Sequence, residues 1–177
     1  GRIGVVFSDK PECPGLQLAE KLNLPTKTID ANNFNREYGI RRLSDLPLDH
    51  PSRVAFDALS IHLMEQVCRP DLVCLAGFNR WLSPYSIERY ENRILNVHPA
   101  DTTKGYVGSQ EAPVAEAILA GDVYTRSTIF FVDKSKDMGP VLVQSCGIRF
   151  ADEAEIESIL KYAQRNRIHN MQEFRKV

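Results

Sequence analysis

Apolar residues in this chain fall into short runs divided by polar stretches that carry proline and glycine, and the spacing within the runs switches between a strand period and a helix period. Residues 2–7 read as a buried strand. Residues 8–15 form a turn-rich loop. Leu16, Leu18, Ala19 and Leu22 then give a short helix that stops near Asn23 and Pro25. Thr26–Ile29 is a second, weaker strand. Residues 31–51 are polar, carry Pro47 and Pro51, and read as a loop with at most one turn of helix. Between Ser52 and Cys68, the residues Val54, Leu59, Ile61, Leu63, Met64 and Val67 form the broad apolar face of an amphipathic helix.

Past Arg69-Pro70-Asp71, Leu72–Ala76 is a continuous apolar run, the pattern of a strand covered on both faces. Gly77-Phe78 turns the chain. Ser83-Pro84 opens a helix with Ser at the N-cap and Pro at the first helical position. Arg93–Val97 is the next strand, 100–110 a polar loop, Glu111–Ala120 a helix closed by Gly121, and Ser127–Val132 and Val141–Phe150 two strands around a loop. Glu153–Arg167 is the last helix. Strands that alternate with helices predict an α/β fold with an open, mostly parallel, Rossmann-like sheet. The last two strands follow one another without a helix and are expected to pair antiparallel. One domain over residues 1–177 is expected.

Composition narrows the function. Hydrophobic residues make up 43% of the chain, which suits a globular domain rather than a disordered segment. With 22 basic against 23 acidic residues, nothing favours a nucleic-acid or membrane-surface partner. No apolar run approaches the roughly 18–20 residues that span a bilayer. Cys13, Cys68, Cys74 and Cys146 have no metal-ligand spacing and read as reduced and mostly buried, consistent with a cytoplasmic location. The chain opens in a strand and has no initiating Met, as a fragment would.

Candidate chemistry sits at strand ends. In Ile94-Leu95-Asn96-Val97-His98-Pro99 the period of two puts Asn96 and His98 on one face, and Pro99 marks where the chain leaves the sheet. Open α/β sheets bind ligands at that edge. Asp137, ahead of Gly139-Pro140, is either a turn former or a positioned carboxylate. Together an imidazole, an amide and a carboxylate suit attack of an amine or water on a carbonyl: His moves a proton, the Asn N–H steadies an oxyanion, and Asp orients or charges the His. No Ser or Cys nucleophile stands beside them in sequence. His50, His62 and His169 read as incidental, and Arg41, Arg42, Lys134 and Lys136 as solvated charges. Trp81 suits a core position and a flat ring wall equally.

Three ordered segments, residues 75–84, 93–100 and 131–144, resemble the formyltransferases that use 10-formyltetrahydrofolate. The resemblance runs from about Ile3 to Ile159. It implies the catalytic trio Asn96, His98 and Asp137. It also implies a pterin-binding segment at Arg80, Trp81 and Leu82, with Leu95 lining that pocket and the loop from Val132 and Asp133 to Asp137 wrapping it. Gly77, Phe78, Asn79 and Pro99 would border the acceptor amine. No metal would be required, the partners would be the folate and a small amine of the glycinamide ribonucleotide type, and the protein would be a monomer or homodimer. In the family a first strand, a phosphate-cradling glycine loop and its helix precede the segment that begins here, so the implied fold lacks them. After His98-Pro99 the chain also departs, reading Ala-Asp-Thr-Thr-Lys-Gly-Tyr-Val-Gly. A hydrolase that passes the formyl group to water, and a folate-binding domain without turnover, are the alternatives.

Overall fold

The computed structural model describes residues 1–108, 112–135, 137–149, 152–166 and 168. His169, Lys136, Glu111 and the predicted element ends at Phe150 and Arg167 lie outside them. The chain divides into two compact units.

In the first unit, which holds residues 1–73 and 80–91, strand β1 (Val6–Ser8) runs parallel to β2 (Thr26–Thr28), with helix α1 (Pro14–Lys21) between them. Of the predicted first strand only Val6 and Phe7 enter the ladder, joined by Ser8 from the predicted loop, because their partner β2 is itself three residues long. The larger difference lies in residues 31–51. A helix, α2 (Ala31–Glu37), forms there because Asp30 caps it, its carboxylate accepting the N–H groups of Asn32 at 2.8 Å and Asn33 at 3.3 Å. Its Phe34 meets Phe56 edge-on at 5.0 Å, and Leu43 completes this buried cluster. Helix α3 (Pro51–Glu65) supplies Phe56 and starts at His50, whose ring Nδ1 accepts the Ser52 N–H. His50 is therefore an N-cap. Helix α4 (Pro84–Arg89) follows Ser83 as expected, but the Ser83 hydroxyl is buried with no partner among the described residues and the Ser83 N–H is taken by Asp57 instead.

The second unit holds residues 74–79 and the chain from Asn92 onward. A four-stranded sheet runs in the order β3 (Val73–Leu75), β4 (Ile94–His98), β6 (Thr128–Phe131), β7 (Val141–Gln144). Helix α5 (Ala112–Leu119) and the short strand β5 (Tyr124–Thr125) lie between β4 and β6 in sequence, and β5 pairs with β8 (Ile148–Arg149). The predicted strand 141–150 is thus two strands in two sheets. β6 is antiparallel to β4 and to β7, so the antiparallel pairing expected of the last two strands holds and extends one strand further. Thr128 begins β6 beside His98, where β4 ends, so the intervening chain leaves and re-enters at the same end of the sheet. Helix α6 (Glu153–Arg165) begins in a capping box of Asp152 and Glu155 and packs on α5, with its Ile156 and Ala163 buried.

The architecture is α/β with open sheets. β3 is less covered than its apolar run predicts: Cys74 is exposed between half-buried Val73 and Leu75. Cys146 is also exposed and Cys13 and Cys68 are half-buried, so the expectation of mostly buried thiols does not hold; none is in a disulfide.

Candidate active site

β4 presents Ile94, Asn96 and His98 on one face, with Ile94 and His98 buried, while Val97 on the other face is 54% exposed. The side chain of His98 enters a closed environment, and its Nε2 is buried without a hydrogen-bond partner among the described residues. A buried donor in that state costs stability unless a ligand engages it.

Behind the strand end lies a polar network. Thr128, opposite His98 in the ladder, is fully buried; its hydroxyl donates to the Ala100 carbonyl at 2.7 Å and accepts from Gln144 Nε2 at 3.1 Å. Gln144 Nε2 also donates to Asp101 Oδ1 at 2.8 Å. Burial pushes the Asp101 carboxyl up, but the hydrogen bonds from Thr103 and Gln144 outweigh it and hold the group below its usual value. The network fixes the chain as it leaves His98-Pro99.

Asp137 completes the group. Its Oδ2 is 3.9 Å from His98 Nδ1, too long for a hydrogen bond and close enough for a charge pair. The Asn96 side chain and the Gly108 backbone N–H both donate to its carboxylate. Burial pushes the Asp137 carboxyl up from its ordinary value, against the lowering pull of His98, Gly108 and Asn96. The residue lies in the left-handed region at φ 59°, a conformation Asp tolerates, so it is both the turn former and the positioned carboxylate. Two residues on, a Cβ at Gly139 would stand 1.9 Å from the Phe131 carbonyl oxygen, so only glycine lets the loop close against β6.

In the first unit, residues 80–83 are fastened from below. Arg53, 2% exposed on α3, donates to the carbonyls of Leu43 at 3.1 Å, Leu46 at 3.2 Å and Trp81. Asp57, one turn on, accepts the Ser83 N–H at 2.7 Å and the Ser86 hydroxyl at 3.0 Å. Arg80 pairs with Asp9 at 3.0 Å and lies over the Phe56 ring at 4.3 Å. Trp81 is 37% exposed, so it is not a core residue. No described residue hydrogen-bonds the backbone of Leu82 or the Trp81 N–H.

The structure therefore brings Asn96, His98 and Asp137 together. Leu95 is half-buried on β4. Val132 is half-buried and donates its N–H to Ile94. Asp133 is exposed and accepts the Ser135 N–H at 2.7 Å, the work of a turn. Gly77 turns at φ 65°; Asn79 and Pro99 are exposed and Phe78 is half-buried. Sequence reasoning missed Gly108, Gly139, Thr128, Gln144, Arg53 and Asp57. Only the last pair left a signal, the Arg-x-x-x-Asp spacing that puts both on one face of a helix. Lys104 and Tyr106, in the segment where the chain departs from the family pattern, both bind Asp122, at 2.7 and 2.9 Å. Among the described residues no cluster of three or more His, Cys, Asp or Glu is placed to hold a metal ion, and no helix is long and apolar enough to cross a membrane.

Residues 1–167 match the family described as Formyl transferase. The chain belongs to this family. It is 33% identical over 155 residues to a phosphoribosylglycinamide formyltransferase of Escherichia coli K12, covering 88% of this chain and 64% of the relative. It is 35% identical over 143 residues to the protein of that name from Mycobacterium tuberculosis H37Rv, covering 81% and 57%. The chain thus spans less than two thirds of the length of these relatives. Among solved structures, glycinamide ribonucleotide transformylase 1 from Symbiobacterium toebii aligns with a TM-score of 0.68 at 27% identity, over 96% of this chain and 71% of that one.

Proposed function

We propose that this formyl transferase domain moves a formyl group from 10-formyltetrahydrofolate to a small amine, of the glycinamide ribonucleotide type that its relatives' names carry. The observation behind this reading is the buried, unpartnered His98 Nε2 beside a carboxylate that is itself held by Asn96. The folate supplies a formyl carbon bonded to nitrogen. One C–N bond forms as the other breaks, and the amine proton ends on the folate nitrogen.

The residues then divide the work. Asp137 faces His98 Nδ1, which leaves the ring's Nε2–H to donate to the formyl oxygen as it gains negative charge. An Asn amide has two N–H donors; Asp137 takes one from Asn96, and the other is available to the same oxygen. Asp137 also stands where it can pass a proton through water. The 80–82 segment is the proposed pterin site, with unengaged backbone groups at Trp81 and Leu82 that suit an amino-pyrimidinone edge. Leu95, Val132 and Asp133 are proposed folate contacts, and Gly77, Phe78, Asn79 and Pro99 proposed acceptor contacts. A single domain, a cytoplasmic location, and action as a monomer or homodimer without metal belong to the same proposal.

The test is an assay with 10-formyltetrahydrofolate, with and without glycinamide ribonucleotide. Amine-dependent loss of the formyl group supports transfer. Formate release at the same rate without amine would identify a hydrolase, and tight binding of a stable analogue without turnover a folate-binding domain.

A further inference from the structure

Arg53 and Asp57 are buried charges in α3, 2% and 4% exposed, and the chemistry at His98 does not use them. Buried ion groups are rarely the most stable way to fill space, since apolar side chains of similar volume do it as well or better. Their hydrogen bonds show what they do instead. Arg53 spreads its guanidinium across the carbonyls of Leu43, Leu46 and Trp81, and Asp57 takes the Ser83 N–H. Asp57 Oδ1 also lies 3.8 Å from Arg80 Nη1. Residues 80–83 are thereby held at the Arg80 side chain, the Trp81 carbonyl and the Ser83 N–H. The groups between, the Trp81 N–H and the Leu82 N–H and carbonyl, are passed over by every described residue.

We propose that Arg53 and Asp57 are positioning residues for the folate: they spend the inward-facing backbone groups of residues 80–83 on the protein so that the remaining ones stay presented to the pterin edge. The inference rests on the folate reading above. Preorganisation of this kind lowers the ordering cost of binding, so its loss weakens affinity and leaves the chemical step at saturation nearly intact.

The experiment uses the whole 177-residue chain. Trp81 is its only tryptophan, so quenching of its emission by a stable 10-formyl folate analogue reads binding at the segment itself. Asp57→Ala should raise the analogue's Kd and the folate KM about tenfold or more, with kcat within about threefold of wild type. Asp57→Asn keeps an oxygen that accepts the Ser83 N–H and should stay within about threefold in Kd. Arg53→Lys keeps the charge but cannot span three carbonyls, and should weaken binding like Asp57→Ala; it carries the test alone if Asp57→Ala does not fold. Folded variants that bind within about threefold of wild type overturn the inference, as does an Asn variant as impaired as the Ala one. If the wild-type chain does not bind the analogue, the folate reading falls and the positioning role falls with it. If the wild type binds and the variants match it, only the positioning role falls.

Discussion

Asp137 reaches to within 3.9 Å of His98 Nδ1 from a backbone held in the left-handed region. The carboxylate owes that place to three contacts from different parts of the second unit: the Asn96 amide on β4, the Gly108 N–H in the loop that follows β4, and the close approach of Gly139 to β6. A side chain held this way has its geometry fixed before any substrate arrives, which is what electrostatic catalysis needs. The cost is a half-buried carboxylate pushed up from its ordinary pKa.

Replacing His98 removes a buried ring nitrogen that has no hydrogen-bond partner among the described residues. His98→Ala should lower kcat at least about a hundredfold, the usual effect of losing an acid–base or oxyanion group. Steady-state assays at saturating folate check this, and turnover near the wild-type level would remove His98 from the mechanism.

Asp137→Asn separates stability from activity. A carboxyl with a raised folded pKa loses stability as pH climbs from the unfolded value through the folded one, and keeps it fully in acid. Asn fits the left-handed backbone and carries no charge to bury. Its melting temperature near neutral pH should equal or exceed that of wild type, with the difference vanishing below the ordinary carboxylate range, while turnover falls about a hundredfold or more. Paired thermal melts and assays across pH read both effects.

Gly108→Ala tests the loop brace. At φ 114° an L side chain is strained, and the shift that relieves it takes the N–H away from Asp137. That N–H lowers the Asp137 pKa, so its loss should move the acid limb of the kcat profile to higher pH. An unmoved acid limb would mean that the brace does not govern Asp137.

Gly139→Ala is a backbone clash rather than a packing change. The new Cβ would meet the Phe131 oxygen at 1.9 Å and disturb the 2.9 Å bond from the Phe131 N–H to the Pro140 carbonyl. Destabilisation of about 2 kcal/mol or more is expected, together with lost activity as Asp137 moves. Urea unfolding gives the first and the formyl assay the second.

What the sequence determined by itself was local. Period-two alternation put Asn96 and His98 on one face, Pro99 ended that strand, and a broad apolar face, interrupted by polar residues, marked α3; these depend on near neighbours and on the fixed geometry of strand and helix. Ordered motifs were enough to identify the family and to single out Asn96, His98 and Asp137, which the structure brings together. Tertiary structure decided the rest. α2 has a local start signal in Asp30, which caps it, but it is held because Phe34 finds Phe56 on α3, a partner outside the 31–51 segment. β6 runs antiparallel to β4 although a helix lies between them, since strand direction depends on where the connection re-enters the sheet. Asp137 becomes more than a turn residue only because β4 and Gly108, separated from it in sequence, donate to its carboxylate. Hydrogen bonds and charge act over a few ångströms in space, and sequence distance does not measure that.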